Sequence, residues 1–127
     1  MDKREKILLV EDDLVNRKVI SLMLLEEGYD VDTASDGFEA FKKQCAETYA
    51  SILMDMQLPG IDGLQTVRMI REWERSAGRR TPIAAMTAFA FGGVHEDFAF
   101  GDVDDYIAKP IDVDQLYRIV GKLCGRT

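Results

Sequence analysis

Three acids, an alcohol and an amine in this sequence each stand where an apolar run stops, and together they have the makings of a site for chemistry at phosphorus. Lys6-Ile7-Leu8-Leu9-Val10 runs into Glu11, Asp12 and Asp13; Ile52-Leu53-Met54 stops at Asp55; Pro82-Ile83-Ala84-Ala85-Met86 stops at Thr87; and Asp105-Tyr106-Ile107-Ala108 stops at Lys109. A short apolar run bounded by turn residues reads as a buried strand, so each group is expected at a strand's carboxyl end, where open α/β sheets bind ligands. Gathered there, Glu11, Asp12, Asp55 and Lys109 carry a formal charge of −2, which is unfavourable in a partly desolvated pocket. A divalent cation relieves it. Mg²⁺ takes oxygen ligands and keeps several waters, so Asp12 and Asp55 are the expected direct ligands. A carboxylate beside that ion can attack phosphorus to give an aspartyl phosphate, with Lys109 and the Thr87 hydroxyl stabilising charge on the transferred oxygens. No general base is needed, because the carboxylate is already deprotonated at neutral pH.

The elements that must gather these groups follow in order along the chain. Asp13 is placed to cap a helix that carries Val15, Val19, Leu22 and Met23 on one face, broadened by Ile20, Leu24 and Leu25, and that stops at Gly28. So wide an apolar face predicts packing on the sheet and also against a neighbouring helix or a partner. Tyr29 to Ala34 alternates as a second strand, and Asp36-Gly37-Phe38-Glu39 opens a second helix through Cys45. Beyond Asp55, Leu58-Pro59-Gly60 turns the chain, Asp62 and Gln65 open a helix carrying Leu64, Val67, Ile70 and Trp73, and Ser76-Ala77-Gly78 ends it. Asp112 and Gln115 open a last helix with Val113, Leu116, Ile119, Val120 and Leu123 facing inward. Strands alternating with helices predict right-handed crossovers and a five-stranded parallel sheet, doubly wound, with helices on both faces. Parallel strands place all their carboxyl ends on one edge, which is what brings the five groups together.

With 127 residues the chain is expected to form a single domain over residues 1–127, its core spanning about 5–124. A net charge of −7 argues against a nucleic-acid footprint, and no apolar segment approaches the roughly 20 residues of a membrane span, so neither nucleic-acid contact nor membrane insertion is expected. Cys45 and Cys124 read as packing residues inside helices, and a reducing cytoplasm is the expected compartment. Asp13 reads as a helix cap rather than a ligand, and the only histidine, His95, as a surface residue.

The motifs Val10-Glu11-Asp12-Asp13, Asp55-Met56-Gln57-Leu58-Pro59-Gly60-Ile61-Asp62-Gly63, Met86-Thr87-Ala88 and Asp105-Tyr106-Ile107-Ala108-Lys109-Pro110 resemble, in that order, the receiver domain of two-component response regulators. The wording around Asp55 and the Met-Thr-Ala turn is most similar to receivers of hybrid sensor kinases. The resemblance implies a flavodoxin-like strand order 2-1-3-4-5, an arrangement for which a chemotaxis receiver is a standard example. It makes Asp55 the phosphoacceptor, with Mg²⁺ held by Asp12 and Asp55, by Glu11 through water and by the backbone carbonyl of Gln57. Thr87 and Lys109 would bind phosphoryl oxygens, and the Lys109-Pro110 bond resembles the family's cis peptide. Tyr106 is either the aromatic that turns inward when Thr87 moves toward the phosphate or a half-buried tyrosine at the core edge.

The resemblance implies a signalling receiver that takes its phosphoryl group from a sensor histidine kinase or a histidine phosphotransfer domain, loses it to water, and switches its contacts with a downstream protein. It is not an enzyme in the turnover sense, and a homodimer is left open. A rival of another class is a receiver-shaped adaptor that binds partners independently of phosphorylation. A third, an aspartyl-phosphate phosphohydrolase, would need a second acid two residues after Asp55, where Gln57 stands. No effector sequence follows the last helix, so output is expected from the receiver's own surface or from chain outside this sequence. The sequence departs from the family between Thr87 and Tyr106. Phe89 takes a slot usually polar, Gly92 and Gly93 weaken helix propensity by about 1 kcal/mol each, and Phe91, Phe98 and Phe100 crowd the segment. Most of these rings are expected to pack on the sheet, while Phe89 beside the pocket is expected to slow attack of water on a phosphoaspartate.

Overall fold

The computed structural model describes residues 4–88 and 102–125. Five strands, β1 (Lys6–Val10), β2 (Asp30–Ala34), β3 (Ser51–Asp55), β4 (Ile83–Thr87) and β5 (Asp105–Ala108), are laid out with helices α1 (Leu14–Glu26), α2 (Gly37–Ala46), α3 (Gly63–Ala77) and α4 (Val113–Leu123). All neighbouring strands pair in parallel, in the order β2-β1-β3-β4-β5, which is the flavodoxin-like arrangement expected. Successive residues of a strand point to opposite faces, and the core divides accordingly. Leu8, Val10, Ile52, Met54, Ile83 and Ala85 meet α2 and α3 through Ala40, Val67 and Ile70. Ile7, Leu9, Leu53, Ala84, Met86 and Ile107 meet α1 and α4 through Ile20, Leu24, Leu116 and Ile119. Because both faces are covered, β3 and β4 are buried along their whole length, and their sequences read as unbroken apolar runs.

Each helix among the described residues begins at an aspartate. Asp13, Asp36, Asp62 and Asp112 accept hydrogen bonds from the backbone N–H groups of Asn16, Glu39, Gln65 and Gln115, satisfying donors the helix cannot. At α3 the box is complete, since the Gln65 side chain accepts the Asp62 N–H in return. Gly63, the first residue of α3, lies against the end of β3: a Cβ there would overlap the Asp55 carbonyl oxygen and the Met56 Cα. Only glycine lets the helix start so near the strand that carries Asp55.

Three expectations are corrected. On α1 only Ile20 and Leu24 are buried, whereas Val15 (67% exposed), Leu22 (63%), Val19 and Leu25 face outward together with Leu14. The helix touches the sheet along one narrow stripe, so an apolar face wider than that stripe stays uncovered. On α3 the buried positions beyond Ile70 belong to Arg71 and Glu74, while Trp73 is half-buried with the Arg79 guanidinium stacked 4.6 Å from its ring. Cys124 caps α4 rather than lying within it. The expectations for Phe89, Phe91, Gly92, Gly93, His95, Phe98 and Phe100 lie outside the described residues. Among the described residues no helix is long and apolar enough to cross a membrane.

Candidate functional site

β1 and β3 are central neighbours, and their carboxyl ends deliver Glu11, Asp12 and Asp55 to one place. A carboxylate oxygen from each lies within 4.8 Å of the others. Asp55 and Glu11 are buried and Asp12 is exposed, so the cluster has a dry floor and one acid at its rim. Lys109, one residue past β5, reaches back over β4 and sets its Nζ 3.1 Å from Asp55 Oδ2 and 3.4 Å from Glu11 Oε1. The other Asp55 oxygen, Oδ1, accepts the Gln57 N–H at 2.9 Å. Gln57 itself is exposed, in the turn between β3 and α3.

Thr87 is placed by register. Asp55 pairs with Met86, so the threonine is the next residue on the adjoining strand, and it pairs in turn with Ala108, the neighbour of Lys109. The Thr87 carbonyl accepts the Lys109 N–H at 3.0 Å, which ties the alcohol-bearing and amine-bearing residues together, and the Lys109-Pro110 bond is cis. Tyr106 sits half-buried, packed against the core cluster on the α2–α3 face. Asp13, a cap in the sequence reading, is engaged with Asn16 as such.

The electrostatics are those of a pocket short of positive charge. Desolvation pushes the Glu11 carboxyl up to about 7; the Asp13 N–H offsets this in part, and the adjoining Asp55 adds to it. Burial pulls the Lys109 ammonium down, but Asp55 and Glu11 more than offset that and leave it raised. Glu11 Oε1 is buried with an ion-pair contact to Lys109 and no hydrogen bond. Converging hard oxygen donors, one of them incompletely satisfied, fit Mg²⁺ and would not suit a soft metal.

Sequence reasoning did not single out Arg17, whose Nη1 donates to the Glu11 carbonyl at 3.1 Å. A cation on the first turns of the helix that follows the acids was the available signal. A groove of about 510 Å³ opens beside the cluster, between Glu11 and Lys109 on one side and Asn16, Val19 and Met23 of α1 on the other.

The family described as Response regulator receiver domain matches residues 7–121. The hybrid signal transduction histidine kinase I of Dictyostelium discoideum is 39% identical over 91% of this chain and 7% of its own length. The osmosensing histidine protein kinase SLN1 of Saccharomyces cerevisiae is 39% identical over 98% of the chain and 11% of its own length. The chain thus spans about a tenth or less of these curated relatives. Among solved structures, the receiver domain of the sensor histidine kinase PA1611 from Pseudomonas aeruginosa PAO1, with a magnesium ion coordinated in its active-site cleft, is 40% identical with a TM-score of 0.85, covering 97% of this chain and 99% of that one. The response regulator protein TrrA from Thermotoga maritima, in complex with Mg²⁺-BeF, is 33% identical with a TM-score of 0.81, covering 94% and 98%.

Proposed function

The chain belongs to the response regulator receiver domain family, and from that premise we propose that Asp55 accepts a phosphoryl group from a phosphohistidine and thereby switches the protein's contacts. A carboxylate oxygen of Asp55 forms the new P–O bond; the P–N bond breaks, and its electron pair leaves on the imidazole nitrogen, which takes a proton from solvent. The Gln57 N–H and the Lys109 ammonium hold the two Asp55 oxygens in place for that attack. Asp12 and Asp55, with Glu11 through water and Gln57 through its carbonyl, would hold Mg²⁺, which when bound would supply charge stabilisation on the transferred oxygens. Lys109 adds a second positive charge, 3.1 Å from Asp55 Oδ2, and the Thr87 hydroxyl turns to donate to a phosphoryl oxygen. Movement of Thr87 frees the space into which Tyr106 turns, and the outer surface of β5 changes with it.

The observation that carries this reading is that Lys109 Nζ lies within 3.4 Å of both Glu11 and Asp55, the three residues being delivered by the ends of three different strands. Support comes also from the likeness to receivers holding magnesium and Mg²⁺-BeF, a phosphoryl mimic. The phosphodonor is a histidine kinase or histidine phosphotransfer domain, in keeping with relatives that are hybrid kinases. It seats on the uncovered face of α1, where Val15, Val19 and Leu22 are exposed and Val19 also lines the groove that leads to Glu11 and Lys109. Water later releases the phosphate from Asp55.

The test is direct. Incubation with acetyl phosphate and Mg²⁺ adds a phosphoryl mass to the wild-type chain and none to Asp55→Asn, and excess EDTA prevents the addition. An equal gain of mass by Asp55→Asn rules the reading out.

A further inference from the structure

β1 ends at Val10, so the backbone of Glu11 leaves the sheet ladder at the residue that carries the first of the acids. Its N–H still finds β2, donating to the Ala34 carbonyl at 3.0 Å. Its carbonyl is met from α1 instead, by the Arg17 guanidinium at 3.1 Å. That carbonyl belongs to the peptide unit joining Glu11 to Asp12. The Glu11 side chain closes the turn further, because Oε2 accepts the Asp13 N–H at 3.2 Å, and the Asp13 carbonyl accepts the Arg17 N–H at 2.9 Å. A ring of contacts therefore runs from Glu11 to Asp13, along the first turn of α1 to Arg17, and back to Glu11. Arg17 is half-buried, whereas the next cation, Lys18, is exposed and Arg17 alone of the two holds this carbonyl.

We propose that Arg17 is a positioning residue for the cation site: by holding the carbonyl of the Glu11–Asp12 peptide it fixes the direction in which Asp12 leaves the strand and keeps its carboxylate beside Glu11 and Asp55. The proposal rests on the Mg²⁺ reading above. A rotation of that peptide about its flanking bonds would swing Asp12, the exposed acid of the three, away from the other two. A guanidinium offers a rigid fork and a charge-assisted hydrogen bond to the carbonyl, so it resists that rotation better than water does.

The sign of the effect separates positioning from simple electrostatics. Arg17 is a cation near a cation site, and by charge alone its removal tightens Mg²⁺ binding. Positioning gives the reverse: loss of a partner that orients metal ligands typically weakens affinity 10- to 100-fold.

The experiment is calorimetric titration of Mg²⁺ into the full chain and its variants, with metal-free melting curves alongside. Wild type that takes up no Mg²⁺, or Asp12→Asn that binds it equally well, defeats the magnesium reading itself and the proposal with it. Where wild type binds and Asp12→Asn does not, Arg17→Met, which keeps the length of the stem but donates nothing, raises the Mg²⁺ dissociation constant about tenfold. Arg17→Lys, able to donate one bond to the same carbonyl, recovers part of that loss. Lys18→Met, with the same change in charge but no hold on the carbonyl, leaves the constant unchanged or lowers it. Binding by Arg17→Met as tight as wild type or tighter overturns the proposal, and so does a weakening that Lys18→Met shares equally. If Arg17→Met gives no cooperative metal-free melt, Arg17→Gln is read by the same criteria.

Discussion

At the scale of single residues, Glu11 and Lys109 report on the pocket in different ways. Glu11, raised from 4.5 to about 7 chiefly by desolvation, holds a proton in the folded state over a pH range in which the unfolded chain has released it. The folded state then binds more protons than the unfolded, and stability falls as pH rises. Metal-free protein is therefore expected to lose melting temperature between about pH 4.5 and 7, with the loss much reduced under saturating Mg²⁺, which takes the proton's place. Thermal melts across that range, with and without the ion, check it, and a metal-free melting temperature that climbs through the window counts against the assignment. Lys109→Met removes the ammonium 3.1 Å from Asp55. Phosphorylation by acetyl phosphate is expected to slow by about a hundredfold, the effect of losing one donor to the developing charge, while Mg²⁺ affinity holds or rises because a competing cation is gone. Single-turnover kinetics and Mg²⁺ titration separate the two.

At the scale of elements, α3 and α1 do different work. α3 starts against the carbonyl of Asp55, and Gly63 is the residue that permits it. Gly63→Ala forces the turn carrying Gln57 to shift, and is expected to cost about 1–3 kcal/mol in urea denaturation and to weaken Mg²⁺ binding in the same variant. α1 spends little of its apolar surface on the core, since Ile20 and Leu24 alone are buried. Replacing exposed Val15 and Leu22 by serine is expected to change stability by no more than about 0.5 kcal/mol each. The same pair of changes slows phosphoryl transfer from a phosphohistidine-bearing protein much more than transfer from acetyl phosphate. Equal slowing with both donors would place the docking face elsewhere.

At the scale of the whole molecule, the edge of the sheet opposite the acids is clamped by a buried polar network. Arg71 of α3 donates to Glu74 at 2.6 Å, to the carbonyls of Thr81 and Asp102 at 2.7 and 2.8 Å, and to Asp104 at 3.1 Å. Glu74 in turn accepts from Gln44 of α2 and from the Thr81 N–H, so α2, α3 and the entries to β4 and β5 share one set of bonds. Arg71→Met leaves the buried Glu74 side chain without its cation. The expected loss is about 3–5 kcal/mol, read from the urea midpoint, although the residue lies at the far end of the sheet from Asp55. The acid cluster thus sits at one end of the sheet, while this network ties the layers together at the other.

Much of this was legible in the linear chain, and the reason is locality. Apolar runs such as Ile52-Leu53-Met54 and capping aspartates such as Asp62 act over a few residues, and strand ends follow from them. The types of group at those ends, acids at 11, 12 and 55, an alcohol at 87 and an amine at 109, were enough to name a chemistry. Periodicity states that a helix has an apolar face and not which part of it is covered, so the outward turn of Val15, Val19 and Leu22 was invisible until α1 met the sheet. Nor does a sequence contain the separations on which a protonation state or a guanidinium's partner depends. The raised Glu11 carboxyl, the reach of Arg17 to the Glu11 carbonyl and the burial of Arg71 in place of Trp73 all arise between residues that only tertiary packing brings within hydrogen-bonding or desolvating distance.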